Sequence, residues 1–178
     1  MNKGLKNAIR GLLVGGVAAG LSGVALAATQ GTVGFNSTGD LDITLGVNDE
    51  VRISNLADIN LGVFTGTDAV GTSAACVYRN GAGLYQLIAS GNGTGGAFTL
   101  TDGVATVPYS VRYTDGAGTQ DALSNVALTG LTGADGLSSI CANTGNNATI
   151  EVTVAAADAA SVPAATYIGT LTLLVSPQ

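Results

Sequence analysis

Few side chains in this 178-residue sequence can do chemistry, and their types narrow what that chemistry could be. There is no histidine, and beyond Ala27 there is no lysine and only three arginines, Arg52, Arg79 and Arg112. The usual general bases and proton shuttles are therefore missing. The serines lie among glycine and threonine, without the G-x-S-x-G elbow that presents a nucleophile. Cys76 and Cys141 are the only cysteines. In an oxidising compartment such a pair is expected to form one disulfide, closing a loop of about 66 residues worth roughly 4 kcal/mol in the chain-entropy model. Two cysteines without histidine do not make a zinc site. The twelve carboxylates could in principle supply the acid–base pair of a glycosidase. Asp102, Asp115 and Asp135 have a simpler role, because each precedes glycine in a turn sequence. The loop Asp115–Asp121 is rich in oxygen but lacks the spacing and closing glutamate of a calcium-binding EF-hand. No catalytic residue, no metal ligand and no cofactor is expected.

The segments around these residues define where the chain works. Lys3, Lys6 and Arg10 precede an uncharged apolar run from Gly11 to Val24, and Ala25-Leu26-Ala27 supplies a small-residue cleavage site. This is the pattern of a secretory signal, with cleavage expected after Ala27. The run is short and glycine-rich for a membrane span, so none is expected in the mature chain. Removing residues 1–27 leaves three arginines against twelve carboxylates, a net charge of −9. Such a surface repels phosphate, so nucleic acid is not an expected partner. The sequons at Asn36, Asn92 and Asn147 are read as exposed or strand-edge Asn and Thr.

Period-two alternation dominates the mature sequence. Strands are expected over 41–47, 51–56, 74–79, 84–90, 97–101, 104–113, 148–155 and 166–176. The tyrosines Tyr78, Tyr85, Tyr109, Tyr113 and Tyr167 sit in these patterns as core or core-rim residues. Between the strands lie Asn80-Gly81, Asn92-Gly93, Asp102-Gly103, Asp115-Gly116, Asp135-Gly136 and Thr144–Asn147. Asn-Gly and Asp-Gly suit tight turns that need positive φ. The alanine-rich stretch 155–165 is expected as a loop or one helical turn. Seven or eight short strands joined by such turns predict an all-β sandwich.

The run 41–47 is the most regular of the strands. Leu41, Ile43, Leu45 and Val47 fall on one face, at the spacing of alternate pockets along a groove. It can serve as the first strand of its own domain or as a strand inserted into a neighbour. A donor placed further upstream would use Val33 and Phe35 instead, or span both stretches.

Two stretches carry a resemblance. The C-terminal sequence Pro163-Ala-Ala-Thr-Tyr-Ile-Gly-Thr-Leu-Thr-Leu-Leu-Val-Ser176 is similar to the ending of chaperone–usher pilins. Asp42-Ile-Thr-Leu-Gly-Val-Asn-Asp49, followed by Val51-Arg-Ile53, resembles the donor segment and first strand of alpha-class, colonisation-factor-type major pilins. The cysteine pair departs from that pattern, since not every branch carries one. The resemblance implies a signal peptide over 1–27, a donor-strand extension over 28–48 and an immunoglobulin-like pilin domain over 49–178. It implies a fold lacking its final strand, with Leu171, Leu173 and Val175 bordering an open groove. A periplasmic chaperone would cover that groove until, at an outer-membrane usher, an identical subunit's N-terminal segment replaces it. The product would be an extracellular homopolymer supporting adhesion and biofilm formation. Two rivals stand beside this expectation. One is a self-complete monomeric surface or periplasmic sandwich that binds sugar or metal. The other is a surface-layer or matrix fibre assembled without a chaperone.

Overall fold

A computed structural model describes residues 28–178. The expected signal segment, residues 1–27, lies outside the described residues. The chain divides into two units between Gly46 and Val47.

In the first unit, Thr29 and Asp40 form one antiparallel pair. The Thr29 N–H donates to the Asp40 carbonyl at 2.9 Å and the Asp40 N–H to the Thr29 carbonyl at 3.0 Å. The chain between them is thereby closed into a loop. Gly31 and Gly39 make that closure possible: a Cβ on Gly31 would overlap Ser37 Oγ, and one on Gly39 would sit 3.0 Å from the Thr29 carbonyl.

In the second unit, alternation of β-branched and small polar residues makes ten strands. They are β1 (Val51–Ser54), β2 (Ala69–Arg79), β3 (Tyr85–Gly91), β4 (Thr99–Thr101), β5 (Thr106–Pro108), β6 (Ser110–Asp115), β7 (Gly118–Ala122), β8 (Ala127–Leu131), β9 (Ala148–Val154) and β10 (Leu171–Pro177). One short helix, α1 (Ala156–Ala160), follows β9. Five strands form an antiparallel sheet in the order β1-β2-β9-β6-β7, and three form a second in the order β10-β3-β8. β4 and β5 make a separate pair. The protein is an all-β, immunoglobulin-like β-sandwich. Its core lies between the inner faces, with Val77, Val111, Tyr113 and Ile150 from the larger sheet meeting Tyr85, Leu87 and Leu131 from the smaller.

Cys76 and Cys141 form a disulfide with their Cα atoms 5.8 Å apart. Cys141 takes a left-handed φ of 51°. The bridge fastens the loop after β8 to β2. The same loop is held by Asp135, whose N–H donates to the Val77 carbonyl and whose carbonyl accepts from the Arg79 N–H. Asn147 donates to the Val77 and Gly133 carbonyls and accepts from the Val77 N–H. This sequon asparagine is a structural connector.

Several sequence expectations are corrected. The strand expected over 51–56 ends at Ser54, because Asn55 has a φ of 62°. The strand expected over 104–113 is divided at Tyr109: the part before it pairs with β4, in whose register the Tyr109 N–H bonds to the Phe98 carbonyl, and the part after it pairs with β7 and β9. Of 166–176, only the part from Leu171 is strand; before it, Ile168 makes an isolated pair with Thr101. Residues 41–47 have no ladder partner. β7 and β8 were not expected. Among the expected Asn-Gly and Asp-Gly turns, Gly81 and Gly103 adopt positive φ, as does Gly145 in the Thr144–Asn147 turn. Gly93, Gly116 and Gly136 do not, and Gly95, Gly96 and Gly118 take that conformation in their loops.

Candidate functional site

β10 has only one strand neighbour. It pairs with β3 along its whole length, from Leu171 opposite Gly91 to Pro177 opposite Tyr85. Its other edge has no ladder partner among the described residues. Alternation turns Leu171, Leu173 and Val175 toward the core, where they stay half-buried, and leaves Leu174 exposed on the opposite face. An unpaired edge beside half-buried leucines is unusual, because a free row of N–H and C=O groups is a template for another chain.

Beside that edge lies an open apolar cleft of about 350 Å³. Its floor is Ile150 and Val152 of β9, both nearly fully buried. Leu171 and Leu173 form one wall. Leu56, Ile59 and Leu61 form another, on the irregular segment after β1. That segment is held by the Ala57 N–H, which donates to Ser73 Oγ at 2.9 Å. Ile59 packs where Gly71 of β2 has no side chain; a Cβ there would lie 2.5 Å from Ile59 Cγ2. Leu100 and Tyr109 close the far side, Tyr109 stacking on Phe98 with ring centroids 5.5 Å apart. The cleft thus lies beside the Leu171 end of β10.

The opposite end of the sandwich is where the chain enters the domain. Asn80 Nδ2 donates to the Asn48 carbonyl at 2.6 Å. The Glu50 N–H donates to Asn80 Oδ1 at 2.8 Å, and the Asn80 N–H to the Glu50 carbonyl at 3.2 Å. Arg79 pairs with Asp49 at 3.4 Å and also donates to the Leu84 carbonyl. Its side chain is largely buried and its Nε has no partner. Gly83 leaves room for the guanidinium, which a Cβ would overlap. The 79–84 turn adjoins the Pro177 end of β10, since Pro177 is opposite Tyr85 and the Gln178 N–H donates to the Leu84 carbonyl. Immediately before this anchorage, the apolar residues of 41–47 face water. Leu41 is 69%, Ile43 89%, Leu45 84% and Val47 76% exposed.

The acidic residues singled out in the sequence do structural work. Asp115 accepts from the N–H groups of Ala117 and Thr132 and from the Tyr85 hydroxyl, which also meets the Tyr113 hydroxyl at 2.8 Å. Asp121 pairs with Arg112. Hydrogen bonds from the Val104 and Ala105 N–H groups hold the Asp102 carboxyl below its ordinary pKa. The Leu137 and Ser138 N–H groups and the Thr144 hydroxyl do the same for Asp135. Among the described residues, no three His, Cys, Asp or Glu side chains are grouped to hold a metal ion.

Of the residues expected to matter, Leu171 and Leu173 are brought to the cleft, while Val175 lies further along the same edge. The walls supplied by Leu56, Ile59, Leu61, Leu100 and Tyr109 were missed. The closely spaced apolar residues Leu56, Ile59 and Leu61 were a signal for part of them.

No protein-family model and no curated protein sequence matches the chain. The fold is similar to that of a chain in a solved structure described as "Chaperone-tip adhesin complex is vital for synergistic activation of CFA/I fimbriae biogenesis". The two are 14% identical with a TM-score of 0.50, over 74% of this chain and 42% of that one. This chain therefore spans less than half the length of the protein it resembles. The likeness is one of fold, to a component of a fimbrial complex. No helix among the described residues is long and apolar enough to cross a membrane.

Proposed function

We propose that the protein is a non-enzymatic subunit of a cell-surface pilus, joined head-to-tail by strand donation. Residues 28–48 are the donor extension and 49–178 the acceptor domain. The observation that carries this reading is a seven-residue free edge beside an open apolar cleft, in a chain that also exposes a seven-residue apolar alternation. β10 spans Leu171–Pro177 and the donor Leu41–Val47, each about 23 Å at ~3.3 Å per residue. Burying the four donor side chains stabilises the joint by roughly 6–12 kcal/mol gross, at about 1.5–3 kcal/mol each. Main-chain hydrogen bonds along β10 add to this and fix direction.

Direction follows from where the chain leaves and where the cleft lies. The extension leaves at the Pro177 end of the sandwich, and the cleft lies at the Leu171 end. If a donor entered its neighbour from the Pro177 end, two copies could exchange strands reciprocally and close into a dimer. Entry from the Leu171 end stacks unlike ends together and propagates without closing. That entry runs the donor antiparallel to β10, with Val47 near Leu171 and Leu41 near Pro177.

Before assembly, the free edge and cleft need cover against aggregation. A periplasmic chaperone lending a strand, and an outer-membrane usher where the strands exchange, supply it. The likeness to a component of a fimbrial complex supports a chaperone partner and surface localisation; the usher, and adhesion and biofilm formation as the outcome, belong to the proposal alone. The test is to shear surface material and run it on a denaturing gel with and without boiling. The expected result is a ladder that boiling collapses to one band. A monomer in both lanes would refute the reading.

A further inference from the structure

Alternation alone does not fix the register of the proposed donor. Sliding the strand by two residues keeps every side chain on its face. The structure shows a stop at each end of the seven-residue segment. On the C-terminal side, three consecutive residues are fastened: Asn48 and Glu50 to Asn80, and Asp49 to Arg79. On the N-terminal side, the double hydrogen bond between Thr29 and Asp40 closes a loop immediately before Leu41.

We propose that these two features are register stops, making the donor a segment of fixed length. The inference rests on the donor-strand reading above. A gap beside β10 admits one strand at about 4.8 Å spacing. The closed loop presents two chain passes side by side and cannot follow the strand into that gap. It therefore holds at the Pro177 end and prevents withdrawal toward Leu171. The Asn48–Glu50 anchorage holds the donor's own domain against the Leu171 end and prevents deeper insertion. Between the stops only one antiparallel register remains: Leu41 opposite Pro177, Ile43 opposite Val175, Leu45 opposite Leu173 and Val47 opposite Leu171. Gly31 and Gly39, whose missing side chains permit the loop, encode the first stop. Asn80, the hub of the second, is more than a turn residue.

Register can be read with cysteine pairs, because the native cysteines are bonded to each other and the described residues hold no free thiol. Thr44→Cys is combined in turn with Leu174→Cys, Thr172→Cys or Ser176→Cys, on the outward face. Opposed residues of antiparallel strands are about 4.5–5.5 Å apart at Cα, within disulfide reach. Sheared polymer is oxidised, boiled and run without reductant. The unaltered extension should give a boiling-resistant ladder with the 44/174 pair alone. Deleting residues 28–39 should shift crosslinking toward 44/172. Thr29→Pro, which removes one of the two closing hydrogen bonds and keeps every other residue, should shift it in the same direction. Asn80→Ala should shift it toward 44/176. Crosslinking confined to 44/174 in all variants would overturn the stops and assign register to the groove alone. A mixture of registers in the unaltered extension would also overturn them. Failure of every chain, including the one without cysteine substitutions, to form polymer would instead overturn strand donation itself.

Discussion

Truncating Ile43 to alanine should shorten the life of the polymer without touching the fold of the domain. Ile43 is 89% exposed among the described residues. Its burial in a neighbour would remove nearly the whole side chain from water, a gain of about 2–3 kcal/mol. If that gain is absent from the transition state for dissociation, the off-rate rises roughly 30- to 150-fold at ~1.4 kcal/mol per factor of ten. The assay is the half-life of unboiled oligomer at a fixed temperature in detergent, read as ladder intensity against time. Thr44→Ala is the control, because position 44 faces out of the groove and its truncation should change the half-life less than about twofold, the ±0.5 kcal/mol range of surface substitutions. Equal half-lives for Ile43→Ala and Thr44→Ala would refute the facing of the donor. A larger effect at position 44 would mean that the register is shifted by one residue.

Replacing Cys76 and Cys141 with alanine frees a loop of 65 residues' separation. It should cost roughly 4 kcal/mol, seen as a lower denaturant midpoint that reductant no longer changes. In alkali, burial pushes the Tyr113 phenol up to about 12. Burial, then the bond to Tyr113 and the nearby Asp115 carboxylate, push Tyr85 well above its ordinary value. Both groups keep their protons longer in the folded than in the unfolded chain, where they titrate near pH 10. Their contribution should be complete below about pH 10 and fall as the pH rises toward about 12. Tyr113→Phe should flatten that fall in a series of denaturant midpoints; an unchanged slope would contradict the coupling. Gly71→Val should displace Ile59 from the wall of the cleft and weaken donor binding while the disulfide still forms, measured as lower yield of unboiled ladder.

Much of the sandwich was legible because its strands carry their facing in period two. Leu87, Val111, Tyr113, Ile150 and Val152 turn inward as alternation requires. The cysteine pair was legible from compartment and count. What escaped were features decided by tertiary contact. The sequence Gly-Thr-Gln-Asp-Ala of β7 has little apolar content, and it is a strand because β6 offers it an edge. The alternation Val107, Tyr109, Val111, Tyr113 runs inward unbroken, yet the strand divides because its partner changes at Tyr109 from β4 to β7 and β9. The cleft escaped for the same reason, since its lining comes from six separated stretches. The 41–47 run shows the limit from the other side: its pattern announces a strand, yet the edge proposed to complete it belongs to another copy of the chain. The Thr29–Asp40 closure has no periodic signal at all, and only the glycines at 31 and 39 hint at close approach.

The most direct test of strand donation is amide hydrogen exchange on sheared filaments, compared with the same chain held as a monomer. Residues 41–47, and those amides of 171–177 that do not bond to β3, should exchange freely in the monomer and become protected together in the filament, because each supplies the other's hydrogen bonds. Protection of β10 without protection of 41–47, or rapid exchange of both in the filament, would contradict the account.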